Sequence, residues 1–339
     1  SMKPIGALLG TLLVGAATPV VAQSSNTLYG LVDAYFMVGK GDDTAYYLNS
    51  GGKSGSRLGF KGVEDLGDGL STIFALEMGI AIDDGSITQG GRMFGRQSWV
   101  GFAGAFGTVS VGRQYTPQYT AIDDNDPFGT AAGSAQASGI VTVLSTRADN
   151  SLFYRAPKLG PVTITVLGAL GEDVIGHFVS TNIQYSSDNL DVGLAYAHQN
   201  HTDPGGASAT ATVLTGGYDF GSFKIQGGAQ IVKNLSRLPN IDDDRTEFFA
   251  GVHVPFGLHK LTVGVGTGKV DGVGGTTATQ YSIGYVHVLS KRTDLYGIYT
   301  AIKNGDATAH TANGATGSGP PVSPGNDVQA LILGMRARF

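Results

Sequence analysis

The last nine residues alternate in a way that leaves few options for the fold. Leu331, Leu333, Met335, Ala337 and Phe339 share one parity, and Gly334, Arg336 and Arg338 share the other, with Ile332 as the apolar exception. Successive side chains of a strand point to opposite faces. One face therefore suits hydrocarbon and the other suits water. A strand in lipid cannot leave its edge open, because unpaired backbone groups there cost several kcal/mol each. The strand is expected to pair on both sides, and closure onto the first strand is the simplest solution.

The same period of two recurs along the chain. Leu28, Gly30, Val32, Ala34 and Phe36 alternate with Tyr29, Leu31, Asp33 and Tyr35. Phe248, Ala250, Val252, Val254 and Phe256 alternate with Phe249, Gly251 and His253, and similar runs cover 190–196, 223–231 and 261–266. No comparable helical period appears beyond the N-terminus. Short turns such as Asp65–Gly69, Ser187–Asn189 and Ser290–Thr293 alternate with long polar stretches at 40–54, 83–92, 116–146, 201–206, 233–245, 269–277 and 304–326. Short connections at one end and long ones at the other mark an outer-membrane barrel, and the count is about 16 strands, an even number. A soluble sandwich could alternate too, but its inward face would be the apolar one. A 16-stranded antiparallel transmembrane β-barrel is the expected fold, all-β, with an aqueous lumen.

Composition agrees. Of 339 residues 14% are charged and none is cysteine, whereas charged residues make up about a quarter of a typical soluble domain. Met2-Lys3, the apolar run Ile5–Val14 and the small residues of Val20-Val21-Ala22 read as a secretory signal cut after Ala22. Ser1 reads as an appended residue. The expected division is thus 1–22 as leader and 23–339 as barrel. Export without cysteine fits a bacterial envelope protein that does without disulfides, and the barrel pattern puts it in the outer membrane. The formal charge of −5 gives no reason to expect nucleic acid as a partner.

Leu28-Tyr29-Gly30, the run Arg57-Leu58-Gly59-Phe60-Lys61-Gly62-Val63-Glu64-Asp65-Leu66-Gly67, Val111-Gly112-Arg113, Tyr285-Val286-His287 and Leu289-Ser290-Lys291-Arg292-Thr293 occur in that order. Together they resemble the Gram-negative general porins, closest to the β-proteobacterial type. The resemblance implies a homotrimer in outer-membrane lipid and lipopolysaccharide. It implies assembly through the barrel-assembly machinery, with Phe339 as the C-terminal signal. It also implies a third extracellular loop folded into each pore as an inward constriction.

That loop is the stretch 116–146. Its acids, Asp123, Asp124 and Asp126, precede Pro127-Phe128-Gly129, whereas the family turn puts the acid after the proline. The resemblance places a basic wall opposite: Arg57 through its motif, Arg96 through Arg96–Gly104, and Arg147 by its spacing from Tyr154-Arg155. Parity adds Lys61 and Arg155, because a charge facing lipid at mid-bilayer costs about 2–4 kcal/mol in a barrel. Arg113 shares parity with Val109 and Val111, the outward set. In trimeric relatives that position meets an acid from a neighbour's second loop, for which Asp83 and Asp84 are the candidates. Opposed charges across a narrow gap would set ion selectivity, and the basic set outnumbers the acids, which favours anions weakly.

Other chemistry finds little support in the sequence. His198 and His201 are the one close histidine pair and lack a metal-site pattern. No serine sits in a nucleophile motif, and Gly264–Lys269 has the wrong spacing for a phosphate loop. No cofactor or metal is expected. The leading reading is a passive channel for small hydrophilic solutes and ions. A substrate-selective channel of the same fold is the alternative, and an outer-membrane barrel hydrolase the third reading.

Overall fold

The computed structural model describes residues 24–171, 176–200, 207–235 and 243–339. The expected leader and His201 lie outside them. The strands are β1 (Ser25–Lys40), β2 (Thr44–Ser50), β3 (Arg57–Gly67), β4 (Leu70–Gly79), β5 (Gln97–Gly104), β6 (Gly107–Tyr115), β7 (Arg147–Arg155), β8 (Val162–Ala169) and β9 (Phe178–Ser186). They continue as β10 (Leu190–Gln199), β11 (Ala209–Asp219), β12 (Lys224–Lys233), β13 (Arg245–Phe256), β14 (His259–Val270), β15 (Ala278–Val288), β16 (Thr293–Lys303) and β17 (Val328–Arg338). One helix, α1 (Pro117–Asn125), lies between β6 and β7.

From β3 onward each strand pairs antiparallel with the next, and β17 closes the ring onto β1. The seventeen segments form sixteen staves, because β2 and β3 are two halves of one. β1 pairs with β3 through Ser25–Leu31 and with β2 through Ala34–Lys40. Half of the stretch read as a first long loop, 40–54, is therefore strand β2. The stave is interrupted at 51–56, between β2 and β3, and Asp33 fills the interruption. Its carboxylate accepts hydrogen bonds from the backbone N–H of Gly52 (3.2 Å), Lys53 (3.0 Å) and Ser54 (2.8 Å). Ser56 Oγ accepts from the Asp33 N–H at 2.9 Å. The polar groups freed by the interruption thus find partners, as buried backbone groups must.

The alternation read from sequence sets the two faces. Leu28, Phe36, Phe248, Leu331, Leu333 and Met335 are exposed on the outer surface, while Asp33, Tyr35 and Phe249 are buried inside. Large apolar side chains around the outer wall are the lipid contact of a barrel. Ile332, the exception in the last strand, is fully buried in the lumen. It packs in a cluster with Ile302, Ile298, Val328, Ile122 and Ile140, where loop 116–146 covers the wall. At the seam Phe339 N–H donates to Gly30 O at 3.0 Å, and Gly30 N–H donates back to Phe339 O at 3.1 Å.

Candidate functional site: the pore constriction

Loop 116–146 is held inside the barrel by polar anchors and by a slot in the wall. Thr116 caps α1, its side chain accepting from Tyr119 N–H, and Pro117 supplies the first turn. Gln118 is buried and donates to Gln230 Oε1 at 3.0 Å. Glu247 accepts from the Thr142 N–H (2.7 Å) and hydroxyl (2.6 Å) and from Gln230 Nε2 (2.8 Å). Ser138 Oγ donates to Gln280 at 2.6 Å. Glycines make the slot. A Cβ on Gly251 would lie 2.4 Å from Pro127, and one on Gly284 would lie 2.7 Å from the Phe128 ring. The tip of the loop needs those bare backbones to approach the wall.

The loop narrows the lumen to a cavity of about 580 Å³. Arg57, Arg96 and Arg147 line it, as do Asp123, Asp124 and Asp126. Their roles differ. Arg96 donates through Nε to Glu77 Oε1 at 2.8 Å, with both side chains nearly buried, and through Nη2 to Tyr115 Oη at 2.6 Å. Its charge is thus largely compensated by Glu77, which also accepts from Tyr29 Oη. Arg57 and Arg147 direct their hydrogen bonds to neutral groups. Arg57 Nε donates to Gly55 O at 2.9 Å. Arg147 Nη2 donates to Tyr115 Oη at 2.8 Å, and its guanidinium lies 4.4 Å above the Tyr115 ring. Tyr115 stacks in turn on Tyr119 of α1, with centroids 5.0 Å apart. Such stacking keeps an arginine's charge available while fixing its orientation.

The acids divide as well. Asp124 is exposed in the lumen. Asp123 accepts from the Thr130 N–H and hydroxyl at 2.9 and 2.8 Å. Asp126 is 3% exposed and closes the loop turn, accepting from Phe128 N–H at 2.8 Å. Burial pushes its carboxyl up to about 8. Asp126 thus borders the cavity as a buried turn residue whose carboxylate is engaged by Phe128 N–H, and Asp123 and Asp124 offer more carboxylate surface to the pore.

Lys61 and Arg155 do not line this cavity. Both share the inward face, but they lie further along β3 and β7 towards the short-turn end, on the periplasmic side of the constriction. Lys61 Nζ sits 5.2 Å over the Tyr29 ring, and Arg155 lies 5.8 Å from the Phe153 ring. Arg113 occupies the outward face with exposed Val111, and its guanidinium is paired with Asp149 of its own chain. Asp149 also takes Arg92 at 2.7 Å. Asp83 and Asp84 are exposed in the loop after β4, and Asp84 accepts from Ser86 N–H within it.

Lys53, Lys260 and Arg336 also line the cavity. Sequence reasoning put Arg336 on the water-facing side of the last strand without naming it a site residue, and it missed the other two, although parity could have found Lys260, which alternates with Leu261. Nothing local pointed to Lys53, because it projects from the break between β2 and β3.

A profile of the Gram-negative porin family matches residues 9–307. The chain belongs to the Gram-negative porin family. Outer membrane porin protein 32 of Delftia acidovorans is 32% identical over 98% of this chain and 99% of its own length. An outer membrane porin protein of Bordetella pertussis is 28% identical over 88% of this chain and 94% of its own. Among solved structures, the anion-selective porin from Comamonas acidovorans superposes with a TM-score of 0.82 at 29% identity, over 94% of this chain and all of that one. This porin is an outer-membrane barrel whose water-filled lumen serves passive diffusion.

Proposed function

We propose that this porin passes small hydrophilic solutes with a preference for anions, and that it acts as a homotrimer. The observation that carries the preference is the burial of the wall acids. Glu77 lies behind Arg96 and Asp294 beside Arg336, both shielded from the lumen. Arg57 and Arg147 then face the pore with the loop acids Asp123 and Asp124, while Asp126 is withdrawn into the loop turn. Lys53 and Lys260 add to the positive side of the same cavity. A low-dielectric wall focuses the field of such an imbalance into the lumen. The solved relative described as anion-selective supports the same reading.

The trimer reading draws on a solved outer membrane protein of Vibrio cholerae described as a trimer form, which shares the fold at 15% identity. The outward cluster of Arg92, Arg113 and Asp149 would then lie against a neighbouring subunit, with Asp83 and Asp84 as further contacts. Contact with lipopolysaccharide, delivery by the barrel-assembly machinery through Phe339, and removal of residues 1–22 as an export signal complete the proposal. The deciding experiment is the reversal potential of single channels under a potassium chloride gradient. A chloride-favouring sign is expected. A potassium-favouring sign would overturn the preference, and openings that never occur in threes would overturn the trimer.

A further inference from the structure

Strands β14 and β15 place two histidines side by side on the outer wall. The turn Gly257-Leu258 joins β13 to β14 at the short-turn end, and β14 begins with His259. His259 is registered directly opposite His287 of β15, and Leu261 opposite Tyr285 on the same face. His259 shares parity with Val263 and Val265, and His287 with Ile283 and Tyr285, all exposed on the lipid-facing surface. Both half-buried histidines thus face outward at the periplasmic rim, where the apolar band of a barrel gives way to water. They lie across the ring from β6 and Arg113, so the face proposed for subunit contact does not cover them.

The ring nitrogens converge. His259 Nδ1 and His287 Nδ1 are 3.1 Å apart, and Tyr285 Oη lies 2.5 Å from the same His259 nitrogen. A ring nitrogen carries either one proton or one lone pair. One of the two neighbours makes the hydrogen bond, and the other faces a nitrogen with nothing more to give or accept. Aromatic packing holds the group together. The Phe256 ring stacks on His259 with centroids 5.3 Å apart, and the two imidazoles stack at 4.8 Å.

A metal ion would use all three donors. Zinc binds an imidazole nitrogen at about 2.0–2.1 Å, so two nitrogens on one tetrahedral ion stand about 3.3 Å apart. The observed 3.1 Å separation is close to that spacing. Turning each ring about its Cβ–Cγ bond aims both lone pairs at one point, with the Tyr285 oxygen beside it. Calcium and magnesium take oxygen ligands, whereas imidazole selects zinc, copper and nickel.

We propose that His259 and His287, flanked by the Tyr285 hydroxyl, form a binding site for a divalent transition-metal ion of the zinc type on the periplasmic rim. Bound there, the ion ties β14 to β15 across the ladder, with water completing its shell. The site lies outside the pore and is independent of the channel's ion preference.

The test uses the folded porin in detergent, without a polyhistidine tag and after treatment with chelator. Calorimetric titration with zinc chloride should show one ion per chain with a dissociation constant in the micromolar range. His259→Asn and His287→Asn should each weaken binding by roughly tenfold or more, since even the loss of a group behind a ligand costs about 10–100-fold. His198→Asn, at the opposite end of the barrel, should leave binding unchanged. Copper(II) loaded in place of zinc should show coupling to two nitrogens by electron paramagnetic resonance, and to one in either rim variant. Migration of the unheated barrel in gel electrophoresis checks that the variants are folded. A wild type that takes up no stoichiometric zinc would overturn the site. So would binding unchanged in either rim variant, or a wild-type copper spectrum without coupling to two nitrogens.

Discussion

Tyr296 Oη donates a 2.5 Å hydrogen bond to Asp33 Oδ1 across the barrel seam, passing over strand β17. Gly334 of β17 lets it pass, since a Cβ there would lie 2.2 Å from the Tyr296 ring. One carboxylate thereby joins three staves and closes the break that projects Lys53.

Replacing Asp33 with Ala should leave three backbone donors and the Tyr296 hydroxyl without their acceptor. Removing a buried partner costs about 1–3 kcal/mol per unsatisfied group, partly recovered here by lumen water, so a net loss of about 2–4 kcal/mol is expected. Denaturant unfolding of the barrel in detergent reads the loss. Unchanged stability would show that water replaces the carboxylate.

Gly284→Val should expel Phe128 from its slot. Overpacking a fitted contact costs about 1–3 kcal/mol, and moving the loop tip relieves the clash at lower cost than distorting the wall. Single-channel conductance should rise while the barrel keeps its resistance to heat in gel electrophoresis. Conductance equal to wild type would mean that the wall yields instead.

Asp126 makes the constriction pH-dependent. Its carboxyl is pushed up to about 8 while the loop is docked, and an undocked carboxyl titrates near 3.8. The docked form therefore holds a proton that the undocked form has lost between those values. Docking is most stable at acid pH, weakens as pH rises through this window, and levels off above about 8. Current fluctuations should increase from pH 4 to pH 8 in the wild type and stay flat in Asp126→Asn. A variant with the same pH dependence as wild type would exclude Asp126 as the titrating group.

The two faces of the wall should respond unequally to charge. Leu333 is exposed to lipid at mid-strand, so Leu333→Arg should cost about 2–4 kcal/mol. Gln184 alternates with the lipid-exposed Ile183 and Tyr185 and faces the lumen. Gln184→Arg should cost little, because its charge stays in water. Comparable losses at both positions, measured by unfolding in lipid vesicles, would contradict the assigned parity.

The sequence by itself determined the barrel, its two faces and its closure, because a period of two and the cost of unpaired backbone in lipid are both local constraints. The resemblance to a known family pointed to Arg57, Arg96 and Arg147, and all three line the cavity. Tertiary structure decided which charges count in the pore. Asp126 is withdrawn because Pro127 and Phe128 dock on glycines of strands more than a hundred residues away. Arg96 is compensated because Glu77 lies beside it on the wall. Lys53 reaches the lumen because Asp33, twenty residues earlier, holds a break in the second stave. An electrostatic field depends on distances between charges, and those distances are set only when the ring closes and the loop folds into it.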